Sequence, residues 1–174
     1  MFAQKLSLNI DISSLSSCNY TNEKEYTKLQ KYAKNLDAPK AALKSLHFDG
    51  TESLIDQLPK SLTDAEKPNV FFLEAPAVDE DYAIIPAHVD YRRTCGINIY
   101  IEANNETTEF FKWDQDTSVL TTIHAFIAKQ NECWLINTSV PHGVLLKKNK
   151  KRKILTFSFS NLSYEEVLKH VYKQ

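Results

Sequence analysis

After Lys67-Pro68 the chain becomes a succession of short runs rich in β-branched and aromatic residues, each closed by a polar turn, and few folds accept that pattern. The runs read as strands near Val70 to Leu73, Tyr82 to Asp90, Cys95 to Glu102, Glu109 to Asp114, Ile123 to Ala128, Cys133 to Asn137, Gly143 to Lys147 and Lys153 to Phe159. About eight short strands of this kind make an antiparallel sandwich or barrel of jelly-roll size. Turn chemistry falls at Asn104-Asn105, Asp114 to Asp116 and Lys129 to Asn131. Only 3 glycines are present, so Asn and Asp must supply most of the special turn geometry.

The segment before that change reads as helical. Asn22 to Leu36 places Tyr26, Leu29, Tyr32, Ala33 and Leu36 on one side, with Asn22 and Glu25 spaced as a capping box. Pro39 suits a first helical position, and a second helix is expected from there through Leu46. A third covers Glu52 to Leu58 and stops before Pro59. Ser163 to Tyr172 closes the chain as a helix with Val167, Leu168 and Val171 on one side. The expectation is one domain over 1–174, mainly β with supporting helices: a helical support layer at 1–68, a jelly-roll core at 69–160 and a C-terminal helix at 161–174.

Side-chain alternation assigns the faces of the sheet. Ile97, Ile99 and Ile101 share one face and Asn98 and Tyr100 the other; Leu155, Phe157 and Phe159 oppose Arg152, Ile154, Thr156 and Ser158. The greasy face should accept the helices, and the mixed polar face should line a functional cavity.

Composition narrows the setting. The 21 basic and 22 acidic residues nearly cancel, and 43% hydrophobic residues suffice for one core. No apolar run approaches the roughly 20 residues of a bilayer span, and the start lacks the layout of a secretory signal, so a cytoplasmic protein with no membrane partner is expected. Cys18, Cys95 and Cys133 are odd in number and lack C-x-x-C spacing, which fits reduced thiols. Six of the 21 positive charges sit in Lys147 to Lys153, leaving the rest of the chain acidic and disfavouring a wholly basic nucleic-acid binder.

The chemistry gathers on those strands. His88-Val89-Asp90 ends the second run, and residues at i and i+2 of a strand point to one side, so His88 and Asp90 can face one ion. His142 follows 52 residues after Asp90, at the head of another strand. Two imidazoles and one carboxylate form the facial triad that holds non-haem Fe(II) and leaves adjacent positions open, which makes these three the candidate metal-binding and catalytic set. Ten residues later Arg152 opens the last strand, where a forked guanidinium facing the same cavity suits a ligand's carboxylate.

Taken together, His88-x-Asp90, His142, Arg152 and the strands Ile97 to Tyr100 and Ile154 to Phe159 resemble the Fe(II)/2-oxoglutarate-dependent oxygenases built on the double-stranded β-helix, over roughly residues 70 to 160. The resemblance implies Fe(II) on His88, Asp90 and His142, the 5-carboxylate of 2-oxoglutarate on Arg152, and O2 as co-reactant. It implies hydroxylation of a primary substrate coupled to decarboxylation of 2-oxoglutarate to succinate. Asp90 sets the chain apart from halogenating relatives, which carry a small residue there. Many relatives have Ser or Thr two residues after the clamp arginine; Ile154 stands there instead, with Thr156 two further along the same face. Strand parity favours Arg152 as the clamp, and a one-residue shift would hand the role to Lys151 or Lys153. Asn98, Tyr100 and Thr156 are candidate cosubstrate contacts, with packing the plain alternative for Asn98 and Tyr100, and Arg93, Phe111 and Trp113 are candidate substrate contacts near the mouth.

Blander readings stand beside these. His88 and Asp90 can pair on a surface turn, and His142, between Pro141 and Gly143, can be a plain turn histidine. A cupin-like binding module with a structural metal and no oxygenase activity is the alternative from another class. The basic run is by default a solvated hairpin, and a nucleic-acid partner through it is the less favoured reading. His47, His124 and His170 have no carboxylate at a useful spacing and read as structural, with His124 the one to check. The scaffold does not choose among a small molecule, an amino acid and a peptide side chain as primary substrate. Eight strands and about three helices consume nearly all of the 174 residues, so an open site would be finished by a bulky substrate or by the second copy of a homodimer.

Overall fold

A computed structural model of the chain describes residues 1–13, 15, 20–26 and 39–172. In chain order the elements are β1 (Ala3–Leu6), β2 (Tyr20–Tyr26), β3 (Leu43–Phe48), α1 (Glu52–Ile55), α2 (Lys60–Ala65), β4 (Asn69–Ala75), β5 (Tyr82–His88), β6 (Cys95–Glu102), β7 (Thr107–Asp114), β8 (Val119–Ile127), β9 (Cys133–Asn137), β10 (His142–Lys147), β11 (Arg152–Phe159) and α3 (Tyr164–Tyr172).

The strands from β4 onward pair as a nest. β4 pairs with β11, β5 with β10, β6 with β9 and β7 with β8, all antiparallel. Pairing of β6 with β11 and of β7 with β10 stitches these hairpins into two sheets, ordered β1-β9-β6-β11-β4-β3-β2 and β5-β10-β7-β8. An eight-strand ribbon folded so that its first strand meets its last is the jelly roll, or double-stranded β-helix. Asn105, Asn131 and Asn149 take left-handed backbone angles at turns, the duty that the shortage of glycine assigns to asparagine.

The N-terminal third departs from the helical expectation. Residues 20–26 form β2, the outermost strand beside β3, and the remainder of the Asn22 to Leu36 helix lies outside the described residues. The helix expected from Pro39 through Leu46 is replaced by a parallel bridge of Lys40 to Ile84 and by β3. Ala41, Ala42, Leu43 and Leu46 after Pro39 suggest a helix, but Leu43 packs between the sheets while Leu46 and Phe48 pack beneath the helices. Burial on both faces is the demand of an interior strand, and it overrides local propensity. The layer at 1–68 is thus largely an extension of the larger sheet, with β1 on one edge and β3-β2 on the other. Among the described residues there, only α1, close to the expected third helix, and the short α2 are α-helical. At the other end α3 matches its expectation.

Two apolar layers result. On the outer face of the larger sheet Ile97, Ile99, Leu155, Phe157 and Phe159 pack against Leu54, Leu58 and Leu62 of the α1–α2 region and Tyr164, Val167 and Val171 of α3. Between the sheets lie Phe71, Leu73, Ile85, Tyr100, Val144 and Ile154. Among the described residues no helix is long and apolar enough to cross a membrane.

One carboxylate ties the helices to the end of the barrel. Glu66 accepts the backbone N–H groups of Ser160 at 2.8 Å, Asn161 at 3.1 Å and Leu162 at 2.9 Å, in the turn between β11 and α3. Glu66→Ala is expected to cost about 1–2 kcal/mol by orphaning these donors. Thermal melting checks this; an unchanged midpoint would mean that water replaces the carboxylate.

Candidate metal centre and its cavity

β5 is an edge strand of the smaller sheet, which is why it tolerates Pro86. The Pro86 carbonyl accepts the Nδ1–H of His88, the last residue of the strand, at 2.7 Å. Directly across, His142 is the first residue of β10 and donates its own Nδ1–H to the Val140 carbonyl at 2.9 Å. A carbonyl can only accept, so both rings carry a proton on Nδ1 and turn Nε2 toward the cluster. The two Nε2 atoms lie 3.3 and 4.0 Å from Asp90 Oδ1, and the three ligand atoms all fall within 4.8 Å of one another. Asp90 is fixed through its backbone N–H on the Thr138 carbonyl at 3.1 Å and through its other carboxylate oxygen, Oδ2, which meets Arg93 Nε at 2.8 Å. Gly96 makes room for that arginine: a Cβ there would lie 3.5 Å from the guanidinium carbon of Arg93 and 3.1 Å from Thr156 Oγ1.

Electrostatics keep the cluster ready for a cation. Burial alone would raise Asp90, but Arg93 and the two histidines hold its carboxyl well below the usual carboxylate range. Burial, helped by neighbouring His88 and opposed by Asp90, pushes His142 down to about 4. At neutral pH His142 therefore carries no proton that a metal must displace.

The same shift sets the acid response of the metal-free protein. The unfolded chain protonates His142 at its ordinary 6.5 and the folded protein only near 4, so this contribution to stability is complete above 6.5 and lost as pH falls toward 4. Asp90 acts in the same sense below 3.8. Melting midpoints are expected to drop between pH 6.5 and 4 and His142→Gln to flatten that drop; parallel profiles for the two proteins would contradict it.

A cavity of about 1170 Å³ opens from this cluster between the sheets. His88, Asp90, His142, Arg152, Asn98, Tyr100 and Arg93 all line it. Of the basic run, Lys147, Lys148, Lys150 and Lys151 are exposed on the hairpin, and Lys153 turns to Tyr20 Oη at 2.8 Å and Glu74 at 3.8 Å. Arg152 alone points inward, as strand parity requires. Thr156 stands behind the wall and donates to Asn98 Oδ1 at 2.5 Å, which leaves the Asn98 amide nitrogen to the cavity.

Other expectations change. Arg93 faces the cavity, but its closest partner is Asp90, so it positions a candidate metal ligand. Phe111 and Trp113 do not line the cavity: Thr108 of β7 does, Phe110 is buried on the same side, and residues 111 and 113 alternate to the opposite face of the strand. His124 sits between Phe2 and Phe110, at ring separations of 5.8 and 5.9 Å, as a packing residue. His47, read as structural, lines the cavity from β3. Glu106 was invisible in the sequence. It is 3% exposed in the turn before β7, with Oε1 3.3 Å from Arg152 Nε and Oε2 accepting the Asn104 N–H at 2.7 Å. Nothing local marks it, because its partner lies 46 residues away.

Two nitrogens and one carboxylate oxygen facing open space fit a first-row divalent metal with free coordination positions. Neither described cysteine joins this cluster: Cys95 and Cys133 are buried in the helix-side core, and burial pushes both thiols up to about 12. Tyr100 Oη, beside Arg152 in the cavity wall, is buried without a well-formed hydrogen bond, an arrangement that an anionic or carbonyl ligand would satisfy.

No protein-family model and no curated protein matches the chain. Among solved structures, vicilin from Corylus avellana (hazelnut) matches at 12% identity and TM-score 0.40, over 75% of this chain and 31% of its own. YcfD, a ribosomal oxygenase from Escherichia coli solved with cobalt and succinic acid, matches at 10% identity and TM-score 0.45, over 78% and 37%. The chain spans about a third of the length of each. The jelly-roll assignment stands on the strand pairing itself.

Proposed function

We propose that the chain is a non-haem Fe(II) oxygenase that couples the oxidative decarboxylation of 2-oxoglutarate to succinate with hydroxylation of a primary substrate. What carries this reading is the convergence of His88 Nε2, His142 Nε2 and Asp90 Oδ1 on the cavity that Arg152 also faces. Bound there, the iron would supply O2 activation, with 2-oxoglutarate as the two-electron reductant. The backbone carbonyls of Pro86 and Val140 hold the imidazoles in the ligating tautomer. Arg93 keeps one Asp90 oxygen occupied, which favours single-oxygen ligation by the other. Arg152, backed by Glu106, offers its remaining N–H groups to the distal carboxylate, with Tyr100 Oη beside it. Phe71, Leu73, Ile85, Val144 and Ile154 form an apolar wall that limits water around the ligand.

The test needs no substrate. Under anaerobic conditions Fe(II) and 2-oxoglutarate are added to the protein, and a metal-to-ligand charge-transfer band in the visible region is expected, with Arg152→Gln raising the 2-oxoglutarate concentration needed to develop it. Metal uptake with no such band, and no calorimetric heat from 2-oxoglutarate, would replace this reading with a cupin-like metal-binding module.

A further inference from the structure

The chain contains only three arginines, Arg92, Arg93 and Arg152, and all three line this cavity; the other basic residues among its 21 are lysines, and among the described residues none of them lines it. Among the described acidic residues Asp90 alone appears in the wall. Arginine differs from lysine in presenting a flat fork that matches carboxylate or phosphate oxygens two at a time. Two of the forks have carboxylate partners, Arg93 at Asp90 and Arg152 at Glu106. Among the described residues Arg92 has no carboxylate within ion-pair distance, and its guanidinium lies 4.9 Å over the ring of Tyr91, which is 83% exposed. The backbone supplies a second, independent sign. Arg92 has φ 62, a left-handed angle that this chain otherwise gives to asparagine, serine and glycine. Such an angle on a long charged side chain at the lip of a cavity marks a residue kept for what its side chain does.

We propose that Arg92 binds an anionic group of the primary substrate, a carboxylate or a phosphate, at the mouth of the cavity. The inference rests on the oxygenase reading and names its substrate class. With a divalent metal and the doubly charged cosubstrate in place, their charges cancel, as do those of Asp90 with Arg93 and of Glu106 with Arg152. Arg92 is left as the uncompensated charge of the loaded site, and it draws the substrate's anionic end to the rim while the rest enters the cavity.

The experiment uses the full chain loaded with Zn(II) and saturating 2-oxoglutarate, so that the metal and Arg152 are occupied. Phenylacetate, phenyl phosphate and the neutral phenylacetamide are titrated by ligand-observed NMR. At least one anion is expected to bind ten-fold or more tightly than the amide; Arg92→Gln should reduce that preference to within two-fold, and Arg92→Lys should retain part of it. Which anion binds better separates a carboxylate substrate from a phosphate ester. Equal binding of the amide, no binding of any probe, or an unchanged preference in Arg92→Gln overturns the proposal. Calorimetric titration of 2-oxoglutarate into the Zn(II)-loaded wild type and variant separates the two readings. Failure of 2-oxoglutarate to bind the wild type removes the oxygenase reading whatever the probes do. Equal binding to both proteins without an anion preference removes only the role of Arg92. Because Arg92 is exposed, a matching melting midpoint establishes that the variant is folded.

Discussion

His142→Ala is expected to weaken divalent metal binding by more than the roughly 10–100-fold that substitutions behind a ligand usually cause. The reason lies in how few groups face the ion. His88, Asp90 and His142 are the whole protein contribution among the described residues, and removing one leaves a ligand pair joined by a single short segment. The variant should still fold. His142 lies at the first position of β10, and truncating its ring should leave the backbone pairing with β5 and β7 in place. Isothermal titration of Co(II) into both proteins decides the matter: equal affinities would place the metal elsewhere.

Gly143→Ala should produce nearly as large an effect without touching a ligand. A Cβ on Gly143 would stand 2.8 Å from the Ile85 carbonyl oxygen and 3.3 Å from the Ala87 nitrogen, both backbone atoms of the neighbouring strand. Backbone cannot swing aside as a side chain can, so β10 must move away from β5 where the pairing already shifts, between His142 and Val144. The loss of packing should cost about 1–3 kcal/mol. It should also carry His142 away from His88, weakening Co(II) binding at least ten-fold. A variant that melts lower yet binds Co(II) with wild-type affinity would show that the cluster does not depend on this close approach.

The jelly-roll strands were legible because each faces the core with one side and is closed by its own turn residues, both of which are local properties. The triad and Arg152 were legible for the same reason: spacing of two along a strand fixes a face. What stayed hidden depends on contacts distant in sequence. The segment around β2 and β3 carries a helical period, and only the presence of β4 as a pairing partner makes it a strand. Glu106 becomes a buried counter-ion only when the β6–β7 turn lands on the start of β11. Arg93 had the right neighbourhood but an unforeseen partner, since the loop folds back on Asp90 three residues earlier. Phe111 and Trp113 lie on the opposite face of β7 from Thr108, and which face meets the cavity is set by how the two sheets stack, not by the strand's own residues.

The nested pairing has a consequence for how the molecule comes into being. β4 waits for β11, and β5, which carries His88, waits for β10, which carries His142. While the chain is being synthesised, the first two ligands emerge more than fifty residues before the third, so no amount of metal can collect the full set early. Closing so long a loop is also a slow step in folding. On the proposed function, a metal held by both strands would act as a clasp across the last closure, and refolding with Co(II) present should leave fewer open chains than refolding without it.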